Sequence, residues 1–343
     1  MRKKLAICIL LAAMAGSALG QTYEDWYVDT DVVGGDGSGV DWANAYSSVA
    51  AAVNAKAGDL VTAQKIVRIN VRGSTNADST RIAPSGYTTN SSYYLWIRVD
   101  AEDRHAGVWS NSKYRLVASV PYDDLVESLP AHTVLEGMQI YNTSTQGSRT
   151  IYCLTDVYLK ECIVRGGHTL CAFLGGGGWA YNCVFAGSTN GPGLTTKTYA
   201  APVLAVNCTA VNNKTYGFHA NTGTTLTAIN CYAGGNQTAD WGMAGKLALT
   251  NCYSADGSAS TSQVAFDTDC FVNVTPGSEN LHLVSGSGLI GQGSSSASTY
   301  ISIDIDGQAR PQGGSWDVGA DEFFEEEPTH GFLRSVLSGS VVR

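Results

Sequence analysis

The six-residue stretch Ala-Val-Asn-Cys-Thr-Ala at positions 205–210 decides the fold, because it returns along the middle of the chain. Close copies stand at 180–185, 228–233 and 249–254, a looser one at 159–164, and a degenerate one at 135–140 has Met138 in the cysteine position. The repeat cysteines, 21, 25, 23 and 21 residues apart, are Cys162, Cys183, Cys208, Cys231 and Cys252. Self-similarity at such a period indicates a stack of repeated structural units.

Each copy reads as two short strands that meet at a bend. Apolar residues alternate before the bend, as at Leu226 and Ala228, and the cysteine alternates with a small or apolar residue after it. Leucine-rich repeats have a similar period but need a denser leucine pattern and a helical arm. The repeat therefore predicts an all-β chain that forms a single right-handed parallel β-helix of about 8–10 coils.

Asparagine occupies the predicted bend at Asn182, Asn207, Asn230 and Asn251, and Glu161 replaces it in an earlier coil. Asparagine tolerates the left-handed backbone region, and its amide both donates and accepts hydrogen bonds. Stacked coils would place these amides about 4.8 Å apart, so that neighbours could form an asparagine ladder.

The cysteines allow two interpretations. Five of them share one repeat position, which favours a column of small buried thiols. An exported chain could instead use its cysteines in disulfides, and Cys153 and Cys171 would be the first pair to consider. A metal site built from cysteine or histidine is the weaker interpretation, since the sequence has no CxxC or HxxxH spacing.

The sequence divides into five predicted segments. Residues 1–20 have the basic start, apolar run and small-residue end of a signal peptide, which predicts a secreted protein, extracellular or periplasmic. An N-terminal cap is expected over 21–64, the coils over 65–275, a C-terminal coil and cap over 276–323, and a flexible tail over 324–343. No later apolar run is long enough to span a membrane.

Both ends of the predicted helix need cover, because its terminal strands and core would otherwise be open. Asp41 is a suitable N-cap for a capping helix over 41–55. Near the C-terminus, the segments 304–311 and 317–323 are rich in aspartate and glycine and contain Arg310. We expect a buried Arg310 to pair with Asp304 or Asp317 and to lock this end.

The C-terminal segments, together with Leu281-His282-Leu283 and 288–291, resemble the terminal part of bacterial secreted proteins of the right-handed parallel β-helix, or pectate-lyase-like, superfamily. The stretch 27–55 resembles the matching N-terminal part. The resemblance implies the β-helix fold but no single activity, since the superfamily mixes lyases, hydrolases, adhesins and viral spikes. The Trp-Ile-Asp-His and Arg-x-Pro-x-x-Arg stretches of pectate lyases and the Asn-Thr-Asp stretch of polygalacturonases are absent.

Candidate functional residues follow from their places in the repeat. Arg165 and His168 follow the first cysteine strand, and His219 and Asp240 fall in later coils, where a shared exposed face would make them catalytic candidates. If Cys231 and Cys252 point inward, then Tyr232 and Tyr253 point outward on adjacent coils, and Trp241 could extend them into a sugar-binding platform. Lone charged residues on loops are more often solvated surface than catalytic, and ordinary packing is the alternative for the aromatic residues.

Composition and charge narrow the partners. The formal net charge is −9 and becomes −12 without Arg2, Lys3 and Lys4, which argues against nucleic acid as a partner. The same balance weakens the case for strongly anionic polysaccharides, since the sequence has no run of Lys and Arg. No cofactor or metal is predicted, and calcium at the aspartates near 304 or near 29 is the minor alternative. The leading hypothesis is a non-catalytic module that binds a polysaccharide or cell-surface glycan, like an adhesin or spike. A divergent polysaccharide lyase or glycoside hydrolase is the alternative, and a purely structural envelope protein is the third.

Overall fold

The computed structural model describes residues 22–259 and 262–325. The predicted signal peptide, and the predicted tail beyond residue 325, lie outside the described residues. Within the described ranges, no helix combines the length and the apolar character that crossing a bilayer requires.

Short strands make up most of the described chain. In chain order they are β1 (Thr22–Asp29), β2 (Lys65–Arg72), β3 (Leu95–Val99), β4 (Leu116–Ala118), β5 (Asp124–Glu127), β6 (Val134–Glu136), β7 (Gln139–Asn142), β8 (Arg149–Cys153), β9 (Tyr158–Lys160), β10 (Ile163–Gly166), β11 (Leu170–Leu174), β12 (Trp179–Tyr181), β13 (Val184–Ala186), β14 (Leu194–Thr196), β15 (Val203–Val206), β16 (Thr209–Val211), β17 (Tyr216–Ala220), β18 (Thr225–Ile229), β19 (Tyr232–Gly234), β20 (Ala239–Met243), β21 (Lys246–Thr250), β22 (Tyr253–Ser254), β23 (Ser262–Gln263), β24 (Phe271–Asn273) and β25 (Asn280–Leu283). An α-helix, α1, spans Val49–Ala55, and a 3₁₀ helix spans Ser295–Thr299.

Three parallel sheets form the wall of the molecule. The nine-stranded sheet runs β1-β2-β3-β6-β9-β12-β15-β18-β21, the eight-stranded sheet β23-β22-β19-β16-β13-β10-β7-β4, and the six-stranded sheet β20-β17-β14-β11-β8-β5. Strands that are neighbours in one sheet belong to successive turns of the chain, so the prediction of a single parallel β-helix is confirmed.

The predicted bend is formed as expected. Glu161, Asn182, Asn207, Asn230 and Asn251 all have positive φ angles, between 47° and 54°. One direct rung of the expected ladder is present, from Asn230 Nδ2 to Asn207 Oδ1 at 3.2 Å. A longer run forms at another corner, where Asn213 Nδ2 donates to Asn236 Oδ1 at 3.0 Å and Asn236 Nδ2 donates to Asp240 Oδ1 at 2.8 Å.

The repeat cysteines point into the core, which confirms the column of buried thiols. All eight cysteines of the described chain are buried, and none of them forms a disulfide. The suggestion that Cys153 and Cys171 form a disulfide is therefore wrong. Cys171 Sγ instead lies 3.4 Å from the carbonyl oxygen of Ala186 and 3.4 Å from Asn213 Oδ1.

The N-terminal segment contributes a strand to the wall and a short helix whose apolar face is buried in the core. Strand β1 pairs with β2 in parallel over eight residues, from Thr22 to Asp29. The helix begins at Val49 with Ser48 as its N-cap, so the prediction that Asp41 caps a helix over 41–55 is wrong. Asp41 Oδ1 instead accepts the backbone N–H of Asn44 at 2.9 Å, which makes a local turn.

The C-terminal segment folds back along the outside of the wall. Residues 264–323, here called the outer layer, cover outward side chains of the eight-stranded and nine-stranded sheets. Arg310 is fully buried, as predicted, but its ion-pair partner is Glu322 at 2.7 Å, and not Asp304 or Asp317. Those two aspartates accept backbone N–H groups of the same segment instead.

Candidate functional site

A groove lies on the outer face of the eight-stranded sheet, beside the edge of the outer layer. One row of outward residues crosses the coils in register: Tyr141 pairs with Arg165, Arg165 with Ala186, and Ala186 with Val211. The outer layer covers the neighbouring row and also packs on Ala186 and Val211 of this one, and it borders the open part at Pro276 and Gly277. Between them is an open space of about 450 Å³, which we call the Lys214 groove.

The floor of the groove is made of small residues. Gly166, Ala186 and Gly187 line it at the ends of β10 and β13. Gly166 has φ of 68°, and a Cβ atom there would lie 2.4 Å from the carbonyl oxygen of Asn142. The turn therefore requires glycine, and the absence of side chains leaves the groove open.

The charge of the groove differs in sign from that of the chain. Its lining contains the cations Arg165 and Lys214, and its other lining residues are all uncharged. Lys214 is exposed, and its Nζ donates to Gln237 Oε1 at 2.7 Å. In a chain of net charge −9, this lining is a local site that favours an anionic ligand.

Arg165 lies at the inner end of the groove and is held there by an ion pair. Its Nη2 lies 3.2 Å from Glu279 Oε2, and its side chain is only 12% exposed. Glu279 Oε1 in turn accepts hydrogen bonds from Asn212 Nδ2 at 3.0 Å and from the N–H of Gly277 at 3.1 Å. The guanidinium also lies 5.4 Å and 5.6 Å from the ring centroids of Trp109 and Tyr141. These contacts tie the outer layer to the wall.

The other catalytic candidates do not gather around Arg165. His168 is half-buried and stands six residues after Cys162, the coil position that Thr189, Lys214 and Gln237 occupy in the next three coils. His219 lies on the six-stranded sheet with its ring stacked on Tyr216 at 4.8 Å, and burial lowers the pKa of its imidazole. The expectation of one shared exposed face is therefore wrong for His219, whereas His168 stays in the row that Thr189 and Lys214 continue along the groove.

Asp240 is a structural residue of a buried corner. It is 1% exposed, and its carboxylate accepts hydrogen bonds from Asn236 and from the backbone N–H groups of Ala255 and Asp256. Burial raises the pKa of this carboxyl group above its ordinary value. The hydrogen bonds, which fix three chain segments, account for its burial.

The predicted aromatic platform has the expected strand register, but two of its three side chains are buried. Tyr232 and Tyr253 pair directly on adjacent strands, as expected. However, Tyr232 is fully buried against Phe271 of the outer layer, and its hydroxyl donates to the carbonyl oxygen of Val264 at 3.0 Å. Trp241 is 5% exposed and stacks on Phe218 in the core, 4.5 Å between centroids. Tyr253 alone is half-buried, so no sugar-binding stack is available.

Sequence reasoning missed Tyr141, Asn212, Lys214 and Gln237, which line the groove. A signal for two of them was present, because Lys214 and Gln237 both stand six residues after a repeat cysteine. The burial of Tyr232 also had a signal in the sequence. The segment from Val264 to Leu283 contains several apolar residues, and these had to pack against another part of the chain.

Two groups of side chains in the described residues have the composition of a metal site: His282 with Asp306 and Asp321, and Asp123 with Asp124 and Glu127. The second group is neutralised by Arg81, which pairs with Asp123 and Glu127, and by Arg149, which pairs with Asp124 at 2.7 Å. At the positions considered for calcium, the Asp31 carboxylate accepts the N–H groups of residues 74–76, and Asp304 those of residues 306, 308 and 322.

The similarity of this chain to known proteins is weak. No protein-family model matches this chain. No curated protein matches its sequence. Among solved structures, the chain is similar to the crystal structure of pectate lyase Pel9A, with 11% identity, a TM-score of 0.40, and coverage of 89% of this chain and 98% of that one. The strand pairing of this chain, and not this likeness, establishes its fold.

Proposed function

We propose that this chain is an exported, non-catalytic β-helix that binds an acidic polysaccharide in the Lys214 groove. The observation that carries the proposal is the exposed cation Lys214, in a groove whose lining has no carboxylate, on a chain of net charge −9. The export signal at residues 1–20 supports contact with glycans outside the cell.

The shape of the groove supports an extended ligand. Its row of residues crosses successive coils, which follow one another at the spacing of neighbouring strands, about 4.8 Å. The exposed residues Thr189 and Gln237 supply a hydroxyl and an amide group along this direction, and the Tyr141 ring stands at one end. Polar groups of this kind bind sugar hydroxyls, and an aromatic face covers the apolar side of a sugar ring.

The same lining supports binding over hydrolysis. Glycoside hydrolases use two carboxyl groups on either side of the scissile bond, and the lining of the groove contains neither aspartate nor glutamate. Arg165 is engaged by Glu279, and removing either partner would leave a buried charge, so we assign this pair to structure. Lys214 is the one exposed cation of the groove and the residue we assign to the ligand.

The test uses the untagged mature chain, residues 21–343, with polygalacturonate and its fully methyl-esterified form as matched ligands. We expect retention by the acidic polymer and weaker retention by the ester, with no release of reducing or unsaturated ends. Lys214→Ala should weaken binding about ten-fold, which corresponds to about 1.4 kcal/mol. Added salt should weaken binding as well, because the groove is open to solvent.

The matched control is Lys246→Ala, which removes an exposed lysine from the nine-stranded sheet. It should leave both binding and the thermal transition unchanged. Release of unsaturated ends that disappears in Lys214→Ala would replace this proposal with a lyase in which Lys214 is the base. Failure of the wild-type chain to bind any acidic polysaccharide would contradict the proposal.

A further inference from the structure

Three side chains from separate parts of the outer layer converge beside the loop that follows β3. His282 belongs to β25, Asp306 to the turn after Ile305, and Asp321 to the last segment of the layer. His282 Nε2 lies 3.4 Å from Asp306 Oδ2 and 3.9 Å from Asp321 Oδ1. One ligand atom from each residue lies within 4.8 Å of the other two.

Two of these atoms are buried without a hydrogen-bond partner. They are Nε2 of His282 and Oδ1 of Asp306. The Asp306 side chain is only 10% exposed, so solvent does not satisfy it. Buried polar atoms are nearly always hydrogen-bonded, so two unsatisfied ones in one cluster need an explanation.

The distances fit a shared cation better than a direct bond. A nitrogen and an oxygen that both bind one ion at about 2.0–2.2 Å stand roughly 3–4 Å from each other. The 3.9 Å from His282 to Asp321 is too long for a hydrogen bond.

The surroundings hold the ligands and leave room between them. The N–H of Leu283 donates to Asp321 Oδ2 at 2.7 Å, and Gln308 Nε2 donates to Asp306 Oδ2 at 3.1 Å, which orients both carboxylates. Gly107 has φ of 67°, and a Cβ atom there would lie 2.5 Å from His282 Nε2. Any other residue at position 107 would therefore fill the space beside the imidazole nitrogen.

We propose that His282, Asp306 and Asp321 bind a divalent transition-metal ion of the zinc class, which links three segments of the outer layer. One imidazole nitrogen with two carboxylate oxygens is a donor set that zinc accepts, whereas calcium prefers six to eight oxygen ligands. Asp304 is not one of the ligands, because its two oxygens accept backbone N–H groups. This inference is independent of the Lys214 groove.

The competing explanation is an imidazolium ion of His282 that pairs with the two aspartates and binds no metal. The two can be separated, because only a metal site binds stoichiometric zinc at pH 7.5. We would measure Zn²⁺ binding to the untagged, EDTA-treated mature chain by titration calorimetry, and the thermal transition with and without zinc. We expect one equivalent of Zn²⁺ to bind and to raise the transition temperature, and Ca²⁺ at the same concentration to have a smaller effect.

His282→Ala and Asp306→Asn should each weaken zinc binding about ten-fold or more and remove the thermal shift. The matched control is His132→Ala, since His132 also pairs with an aspartate, Asp156 at 3.2 Å, and is similarly exposed. It should bind zinc like the wild type. If His282→Ala does not fold in EDTA, zinc titrations of Asp306→Asn and of the wild type still test the proposed site. Absence of stoichiometric binding in the wild type, or normal binding in both variants, would overturn the proposal.

Discussion

The side-chain amide of Asn207 donates hydrogen bonds to the carbonyl oxygens of Asp317 and Gly319, at 2.9 Å and 3.0 Å. A residue of the repeat thus holds a segment that follows it by 110 residues. Other asparagines of the same column bond to the outer layer too: Asn182 to Ile303, Asn230 to Ser294, and Asn251 to Gln292. The asparagine column is therefore a docking strip for the outer layer more than a ladder along the helix.

Replacing Asn207 by glycine should destabilise the chain. Glycine keeps the positive φ of this position, so the change removes the amide without backbone strain. The buried carbonyl oxygen of Asp317 loses its donor, that of Gly319 keeps only Arg310, and Asn230 loses the acceptor Asn207 Oδ1. These losses should lower the free energy of unfolding by about 2–3 kcal/mol. Urea unfolding measures the change. The control is Asn251→Gly, whose exposed side chain makes one bond to Gln292, and its cost should stay under about 1 kcal/mol. Equal costs would contradict the docking role.

The Arg310–Glu322 pair should be the most sensitive ion pair of the outer layer. Both side chains are 0% exposed, and Arg310 also donates to the carbonyl oxygens of Gly319 and Ala320. Glu322→Gln leaves the guanidinium buried without its counter-charge and should cost about 3–5 kcal/mol. Asp123→Asn, at the 48% exposed partner of Arg81, should cost less than about 1 kcal/mol. Comparable unfolding midpoints for the two variants would show that the buried pair has no special role.

His105 should make stability depend on pH. Burial lowers the pKa of this imidazole from 6.5 to about 4, and its Nε2 lies 2.9 Å from the carbonyl oxygen of Glu161. The unfolded chain binds the proton more tightly than the folded chain. The stability that the neutral His105 contributes is therefore complete above about pH 6.5 and is lost as the pH falls towards 4. Between pH 7.5 and pH 5 the loss should be about 2 kcal/mol.

The measurement for His105 is urea unfolding at both pH values, in the wild type and in His105→Gln. Glutamine keeps a donor for Glu161 but does not titrate. Between pH 7.5 and pH 5, the free energy of unfolding of the variant should fall about 2 kcal/mol less than that of the wild type. If both proteins lose the same stability, the imidazole does not carry this dependence.

The cysteines should be unreactive in the native chain. All eight in the described residues are buried thiols outside disulfides, and burial raises the pKa of Cys153 and Cys171 to about 12. Since the thiolate is the reactive form, a chromogenic thiol reagent at pH 8 should modify fewer than about one thiol per native chain. Guanidinium should expose all eight of the mature chain. Fewer than eight reactive thiols after denaturation would indicate disulfides.

Local chemistry explains why the repeat predicts the coils so well. The period of the repeat, the inward alternation around Cys208 and the positive φ of Asn207 all concern residues within a few positions of one another. Such local features do not depend on how distant segments of the chain pack. The register of Tyr232 with Tyr253 could be predicted for the same reason, since it follows from the spacing of Cys231 and Cys252.

The outer faces could not be predicted in this way. Whether Tyr232 is exposed depends on Phe271 and Val264, which reach it only because the outer layer folds back across the wall. The same packing pairs Arg165 with Glu279 and brings His282, Asp306 and Asp321 together. No spacing in the sequence predicts these contacts, because they join a repeat to a segment that does not repeat.

The sequence by itself determined the parallel β-helix, its inward thiol column and its asparagine bends, because each follows from periodicity and local backbone preference. Tertiary structure alone decided which outward residues are covered and which remain open as the Lys214 groove. The physical reason is that a β-helix presents several equivalent outer rows, and burial is assigned among them by the apolar surface of a distant segment.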